Sequence, residues 1–231
     1  MIGIIGAMDV EVAILRERMT GAVTERVSGI DFIRGTLCGR EVVLARSGVG
    51  KVFAALCAQT MILRYGVDTL VNSGVAGTLT DALHIGDVAI SQDCVQYDMD
   101  TSAVGDPVGL ISGINLVNLP TDRTLAAQFA EICSAQGVNH RVGLIATGDQ
   151  FVASHERRTW IAETFGAIAV EMESGAIAQT AYVNGCRFVS LRVVSDEAGG
   201  EATVDYPVFV KKAAATSSEL TLAWLAAYGN A

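Results

Sequence analysis

The segment Ala167-Ile168-Ala169-Val170-Glu171-Met172-Glu173-Ser174-Gly175-Ala176 decides how this chain is read. Ala167 to Val170 is a short apolar run of strand character, and Ser174 to Asn184 has helical character with Gly185 just beyond it. A strand passing into a helix through a polar junction is the repeating unit of an α/β protein. The junction holds two carboxylates around Met172. Ionised Glu is rarely buried without a partner, so Glu171 and Glu173 at a strand end ask for a ligand rich in hydroxyls or cations. A second apolar run, Phe188 to Val194, follows and ends in Ser195-Asp196, which places another acid at a strand end.

The same alternation extends outward in both directions. Toward the N-terminus it predicts strands at Ile2 to Ile5, Thr69 to Ser73, Val88 to Gln96 and Arg141 to Ala146. Between them it predicts helices at Asp9 to Met19, Lys51 to Tyr65 and Thr121 to Gln136, and one capped by Ser154 and running to Phe165. Ile30 to Leu37 and Glu41 to Arg46 read as a hairpin around Cys38-Gly39. Tyr97 to Pro120 reads as irregular, with Gly, Pro and Asn spaced through it. The last helix is predicted over Pro207 to Tyr228, with Pro207 in its first turn. The expectation is one domain over 1–231, with helices on both faces of a sheet made mixed by the hairpin.

Composition narrows the function classes. Charged residues make up 18% against a usual share of about 25%. A surface so poor in charge suggests that part of it is buried in an oligomer, although a large core would also lower the fraction. The net charge of −9 argues against nucleic acid or anionic membrane as a partner. The five cysteines, Cys38, Cys57, Cys94, Cys133 and Cys186, are scattered without metal or redox spacing and read as reduced, mostly buried thiols of a cytoplasmic protein. Met1 to Gly6 lacks the basic region of a signal peptide, and Val52 to Leu63 is too short to span a bilayer.

Ligands of open α/β sheets bind beyond the carboxyl ends of the strands. Five segments stand there: Gly6 to Glu11, Asn72 to Gly77, Thr147 to Phe151, Glu171 to Glu173 and Arg192 to Asp196. Each also has a plain structural reading. Glu11 suits a solvated first helical turn, and Glu171 suits bracing of the next helix. Asn72 to Gly77 suits a tight turn, Asp149 an Asx turn and Phe151 the core. Arg192, inside an apolar strand, requires a carboxylate partner, and a purely structural ion pair would satisfy it. Asp98 and Asp100 lack a third metal ligand.

Other chemistries fail on spacing. Ser47-Gly48-Val49-Gly50-Lys51 has Ala45 and Val52 where a P-loop needs Gly and Ser or Thr. Gly3-Ile4-Ile5-Gly6 lacks the third glycine of a dinucleotide fingerprint. There is no Gly-x-Ser-x-Gly elbow, and His84, His140 and His155 are isolated from one another.

Taken together, the motifs resemble those of the 5′-methylthioadenosine/S-adenosylhomocysteine nucleosidase family of the purine nucleoside phosphorylase superfamily. The resemblance rests on Gly-Ala-Met-x-x-Glu (Gly6 to Glu11), Ser-Gly-Val-Gly-Lys (Ser47 to Lys51), Asn-Ser-Gly-x-Ala-Gly (Asn72 to Gly77), Thr-Gly-Asp-Gln-Phe (Thr147 to Phe151), Val-Glu-Met-Glu (Val170 to Glu173) and Arg-x-x-Ser-Asp (Arg192 to Asp196). It implies a three-layer α/β/α fold around a mixed, twisted sheet, a homodimer, no cofactor and no metal. It implies cleavage of the N-ribosidic bond of adenine nucleosides with release of adenine, as a step of methionine salvage.

By the same resemblance Glu11 activates water, Asp196 protonates the departing adenine, Ser195 orients that acid, and Arg192 steadies the water and carboxylates. Glu173 binds the ribose hydroxyls and Met172 lies against the ribose. Phe151 stacks on the base and the backbone of Val152 reads its edge. Met8, Val75, Gly77 and Glu171 join the substrate-binding residues. Val49, Tyr206 and the partner's loop around Val104 and Pro107 line the 5′ end. Two positions depart from the family: Val75 stands where Ser is common, and Tyr206-Pro207-Val208-Phe209 replaces Phe-Asp-Glu-Phe. Gln92 to Leu110 and Gln150-Phe151-Val152 are similar to a branch that also cleaves aminodeoxyfutalosine in menaquinone synthesis.

Overall fold

The structure, a computed structural model, describes residues 1–198 and 202–228. Its strands are β1 (Ile2–Gly6), β2 (Thr20–Val27), β3 (Ile30–Leu37), β4 (Arg40–Arg46), β5 (Thr69–Thr78), β6 (Val88–Gln96), β7 (Asn118–Pro120), β8 (His140–Thr147), β9 (Ala169–Glu171) and β10 (Arg187–Asp196). The helices are α1 (Asp9–Arg18), α2 (Lys51–Tyr65), α3 (Arg123–Ala135), α4 (His155–Phe165), α5 (Ser174–Asn184) and α6 (Ala202–Tyr228).

Side chains alternate across a strand, and here both faces are covered, so the strands read as continuous apolar runs. Ile4, Val42, Leu44, Val71 and Val189 face α1, α3 and α6, meeting Leu15, Phe129 and Leu225. Their neighbours Ile5, Val43, Ala45, Leu70 and Phe188 face α2 and α5, meeting Ala58, Met61 and Ile177. This makes three layers around a mixed sheet, as expected. Trp224 of α6 stacks on Phe129 of α3 at 5.1 Å. Among the described residues no helix is long and apolar enough to cross a membrane.

β5 organises the sheet. On one edge it runs parallel to β10 along its length. Its other edge is divided: Thr69 to Asn72 pair with β1, whereas Gly77 and Thr78 pair antiparallel with β9. Strands β5, β10, β6, β8 and β9 therefore close a circuit, and β1, β4, β3 and β2 extend outward from β5. Ser73 to Ala76, in the fork between β1 and β9, have no strand on that edge among the described residues, and backbone donors there are left for other partners.

Several boundaries differ from the sequence expectation. β5 runs on to Thr78, because the glycines and small residues of Asn72 to Gly77 continue the strand instead of turning. β2 was not expected, since Thr20 to Val27 lies mostly exposed on the sheet edge and carries no apolar period. β7 lies inside the stretch read as irregular and pairs with β6. α3 starts at Arg123, where the Asp122 carboxylate caps the amides of Thr124 and Leu125. α6 begins at Ala202, so Pro207 lies inside it and not in its first turn. As the sixth residue it lies past the first amides, which have no intrahelical acceptor, so its ring removes one helical hydrogen bond. The Cys38-Gly39 turn is as expected: both residues have positive φ, the two-residue geometry that matches strand twist. Ser154 does cap α4, accepting from the Arg157 amide at 3.1 Å. Cys57, Cys94 and Cys133 are buried, while Cys38 is exposed.

Candidate active site

A cleft opens at the fork of β5. It is lined by Ala7, Met8 and Glu11 after β1, Val49 after β4, and Val75 to Gly77 of β5. Phe151, Val170 to Glu173, Arg192, Ser195, Asp196 and Tyr206 complete it. The five strand-end segments singled out in the sequence thus meet in one place.

Glu11 is the third residue of α1 and reaches back over the helix start, as a capping-box acid does. Its Oε2 accepts from the amides of Ala7 at 2.7 Å and Met8 at 3.0 Å, and its Oε1 from Val75 at 3.0 Å. The Val75 amide is available because the fork leaves that edge of β5 unpaired. Glu11 is 1% exposed, so the solvated reading fails. Burial raises its pKa, against the opposing pull of Arg192 and the three amides. Gly74 makes the approach possible: a Cβ there would collide with Glu11 Oε1 and lie 2.6 Å from Arg192 Nη1.

Arg192 is also 1% exposed and finds three carboxylates where one was required. Nη2 bonds Glu171 Oε2 and Asn72 Oδ1 closely, lies 3.4 Å from Glu173 Oε2, and Nη1 stands 4.0 Å from Glu11 Oε1. Nε donates to Ser190 Oγ at 3.2 Å. Glu171, the last residue of β9, and Glu173, the N-cap residue of α5, have separate tasks. Glu171 accepts from the Thr147 hydroxyl, the amides of Glu173 and Ser174, and the Ser174 hydroxyl, so its oxygens are consumed in bracing α5. Among the described residues Glu173 accepts only the Gly50 amide at 2.9 Å besides Arg192. Burial, opposed by Arg192 and reinforced by Glu171, raises its pKa to about 7.

Asp196 lies across the cleft at the end of β10. Ser195 Oγ is 3.0 Å from Oδ2, and the Ala198 amide donates to Oδ1 at 2.9 Å. Burial raises the pKa of Asp196, only partly offset by these bonds. A Cβ at Gly77 would lie 2.7 Å from Asp196 Oδ1. The site can therefore hold a nucleophile's proton acceptor at Glu11, a proton donor at Asp196 and a hydroxyl acceptor at Glu173.

The remaining expected residues divide. Val49, Met8, Met172, Phe151 and Tyr206 line the cleft, with Phe151 edge-on to Tyr206 at 5.4 Å. The Tyr206 hydroxyl donates to Met8 Sδ at 3.0 Å. Val152 is buried behind Phe151 against Val170 and Ile161. Val104 and Pro107 lie on an exposed loop outside the cleft of their own chain. The sequence reading missed Ser190, and it quoted Thr147 and Gly50 within motifs without giving them a supporting role. Ser190 was the most legible, being a polar residue two before Arg192 on the same face of an apolar strand. A larger cavity of about 290 Å3 at the opposite end of the sheet includes Asp68 and Arg187, already bonded to the N-terminal amine and to Asp122.

Comparison with known proteins agrees with this geometry. Residues 1–226 match the phosphorylase superfamily. A 5′-methylthioadenosine/S-adenosylhomocysteine nucleosidase of Staphylococcus aureus is 41% identical over 220 residues, covering 95% of this chain and 96% of its own. The crystal structure of the Neisseria meningitidis nucleosidase of that name, in complex with methylthio-immucillin-A, superposes with a TM-score of 0.94 at 34% identity, covering 97% of this chain and 98% of that one. Futalosine hydrolase of Helicobacter pylori superposes with a TM-score of 0.93 at 35% identity, covering 97% and 96%. The chain belongs to the 5′-methylthioadenosine/S-adenosylhomocysteine nucleosidase family of the phosphorylase superfamily.

Proposed function

We propose that this chain, as one nucleosidase domain, hydrolyses the N-ribosidic bond of 5′-methylthioadenosine, S-adenosylhomocysteine and related adenine nucleosides, releasing adenine. The observation that carries the reading is the pairing, in one buried cleft, of Glu11 held by three backbone amides with Asp196 whose proton is favoured by burial.

Bond cleavage leaves positive charge on the sugar and negative charge on the base. Protonation by Asp196 at N7 makes adenine a competent leaving group, a contribution of about 10²–10⁴-fold. Glu11 takes the proton of the attacking water, and its amides and Arg192 keep the carboxylate aimed. Glu173 accepts from the ribose hydroxyls, and its charge lies where the sugar becomes cationic. Met172 lies against the ribose, Phe151 stacks on the adenine, the Val152 backbone reads the base edge, and Ser195 orients Asp196. The two acids act in opposite protonation states, as in two-carboxylate glycoside hydrolysis.

Phosphorolysis is the rival chemistry. Among the described residues the cleft sets three carboxylates, Glu11, Glu171 and Glu173, against one guanidinium, Arg192, that is already paired with them. A phosphate dianion would be repelled. Adenine release from methylthioadenosine, measured with and without phosphate, tests the reading. Equal rates are expected, and a requirement for phosphate would refute it. Aminodeoxyfutalosine is the second substrate to assay. It is favoured by the likeness to a futalosine hydrolase and by the Tyr206 hydroxyl, which rests on a weak sulfur acceptor.

The active form is proposed to be a cytoplasmic homodimer. Val52, Phe53, Leu56 and Leu63 leave an exposed apolar stripe on α2, continued by Tyr182 and Val183 of α5. Such a stripe on a surface poor in charge suits a self-complementary interface. The loop of Val104 and Pro107 would then reach the neighbour's 5′ pocket. Sedimentation of a fully active monomer at assay concentration would contradict this assembly.

A further inference from the structure

Three residues outside the cleft form a closed ring across three loops. Lys51, first residue of α2, donates its backbone amide to Asp149 Oδ1 at 2.8 Å. The Asp149 amide donates to Asp98 Oδ2 at 2.9 Å. Asp98 Oδ1 returns to Lys51 Nζ at 2.6 Å. The loops following β4, β6 and β8 are thereby tied together. α2 has no side-chain cap of its own, because its N-cap residue is Gly50, so Asp149 supplies the cap from a distant loop.

What the ring fixes is the Gly50 amide. Gly50 has φ +99°, a conformation that favours glycine, and a Cβ there would lie 3.0 Å from Asp149 Oδ1. In that conformation its N–H donates to Glu173 Oε1 at 2.9 Å. None of Lys51, Asp98 and Asp149 lines the cleft. We propose that the Lys51–Asp98–Asp149 ring is a positioning device for Glu173, holding the Gly50 amide on the carboxylate that receives the nucleoside's sugar. The proposal rests on the reading of Glu173 as the ribose-binding acid.

The consequence is a pH signature. Glu173 faces Arg192 from β10, Glu171 from β9, Glu11 from α1 and Tyr206 from α6. Burial holds its pKa up at about 7, and the Gly50 donor is one of the few influences lowering it. Without that donor, Glu173 stays protonated to higher pH. Removing Asp149 also removes a negative charge, which by Coulomb's law alone would lower the pKa of a nearby carboxyl. The two effects have opposite sign, so the direction of the shift separates lost positioning from lost charge.

The experiment is kcat/KM for methylthioadenosine as a function of pH, with thermal unfolding recorded for every variant. Asp149→Ala is expected to move the acid limb up by about one pH unit, raising KM about tenfold near pH 6.5 and converging on the parent at high pH. Asp149→Asn keeps an acceptor for the Lys51 amide and is expected to leave the limb near its parent position. Should Asp149→Ala lack a cooperative transition, Asp98→Ala carries the same expectation and the same opposing sign of charge. A folded alanine variant whose limb stays in place, or moves down, overturns the proposal; so does a loss of activity equal at all pH values, which marks a simple brace. Glu173→Gln distinguishes the underlying reading: if it retains the parent acid limb, Glu173 is not the titrating group.

Discussion

Gly74→Ala tests the placement of Glu11 without altering any acid or base. Gly74 does not adopt positive φ, so alanine meets no backbone strain there. The whole effect comes from one methyl group. That carbon would overlap Glu11 Oε1 and stand 2.6 Å from Arg192 Nη1, whereas ordinary contact begins at 3.4 Å. Carboxylate and guanidinium must each give way by about 1 Å, and misplacement of that size costs about 10²-fold in rate. The 3.0 Å bond from the Val75 amide to Glu11 would break with it. A hydrogen bond to a charged group contributes about 1.5–3 kcal/mol, so stability should fall by roughly that amount. The assay is adenine release, with thermal unfolding alongside. If the methyl acts through Glu11, the Gly74→Ala/Glu11→Gln double variant should be no slower than Glu11→Gln alone. Full additivity in the double variant would place the effect on Arg192, which the methyl also displaces; parental kcat in Gly74→Ala would refute the placement of Glu11 as the base.

Asp196→Asn should leave nucleoside binding largely intact and lower kcat by roughly 10²-fold or more; near-parental kcat rules Asp196 out as the acid. Glu11, Glu173 and Asp196 all have pKa values raised by burial, so the folded state binds more protons than the unfolded state above their ordinary values. For Glu173 the stabilising difference is full below about pH 4.5 and is lost as pH rises through about 7. Calorimetry should show Tm of the unliganded protein falling across that window, and Glu173→Gln should flatten part of the fall; an identical slope in the variant contradicts the shift. Tyr206→Phe removes a hydroxyl that, among the described residues, donates to a thioether, so stability should change by less than about 0.5 kcal/mol. Its kcat/KM should move toward methylthioadenosine relative to S-adenosylhomocysteine and aminodeoxyfutalosine, and an unchanged ratio shows that Tyr206 does not set specificity.

The sequence by itself determined the layers and the rim of the site. Both follow from local chemistry: apolar runs with period two or 3.6 must be buried, and polar residues interrupting them at strand ends collect on one side of the sheet. Glu11, Glu171, Glu173, Arg192 and Asp196 were legible for that reason. The tertiary structure decided what each does, because role depends on which donors arrive from elsewhere. Glu171 and Glu173 are two residues apart and chemically alike. Both meet Arg192 and line the cleft, but Glu171 is saturated by Thr147 and Ser174, whereas Glu173 takes the Gly50 amide. Asp149 read equally as an Asx turn or a site residue and caps a helix that begins 98 residues earlier. The fork in β5 was illegible, since Asn72 to Gly77 carries the glycines of a turn yet runs as strand between β10 and two successive partners. Only the pairing of chains distant in sequence frees the Val75 amide for Glu11, and no local propensity encodes that pairing.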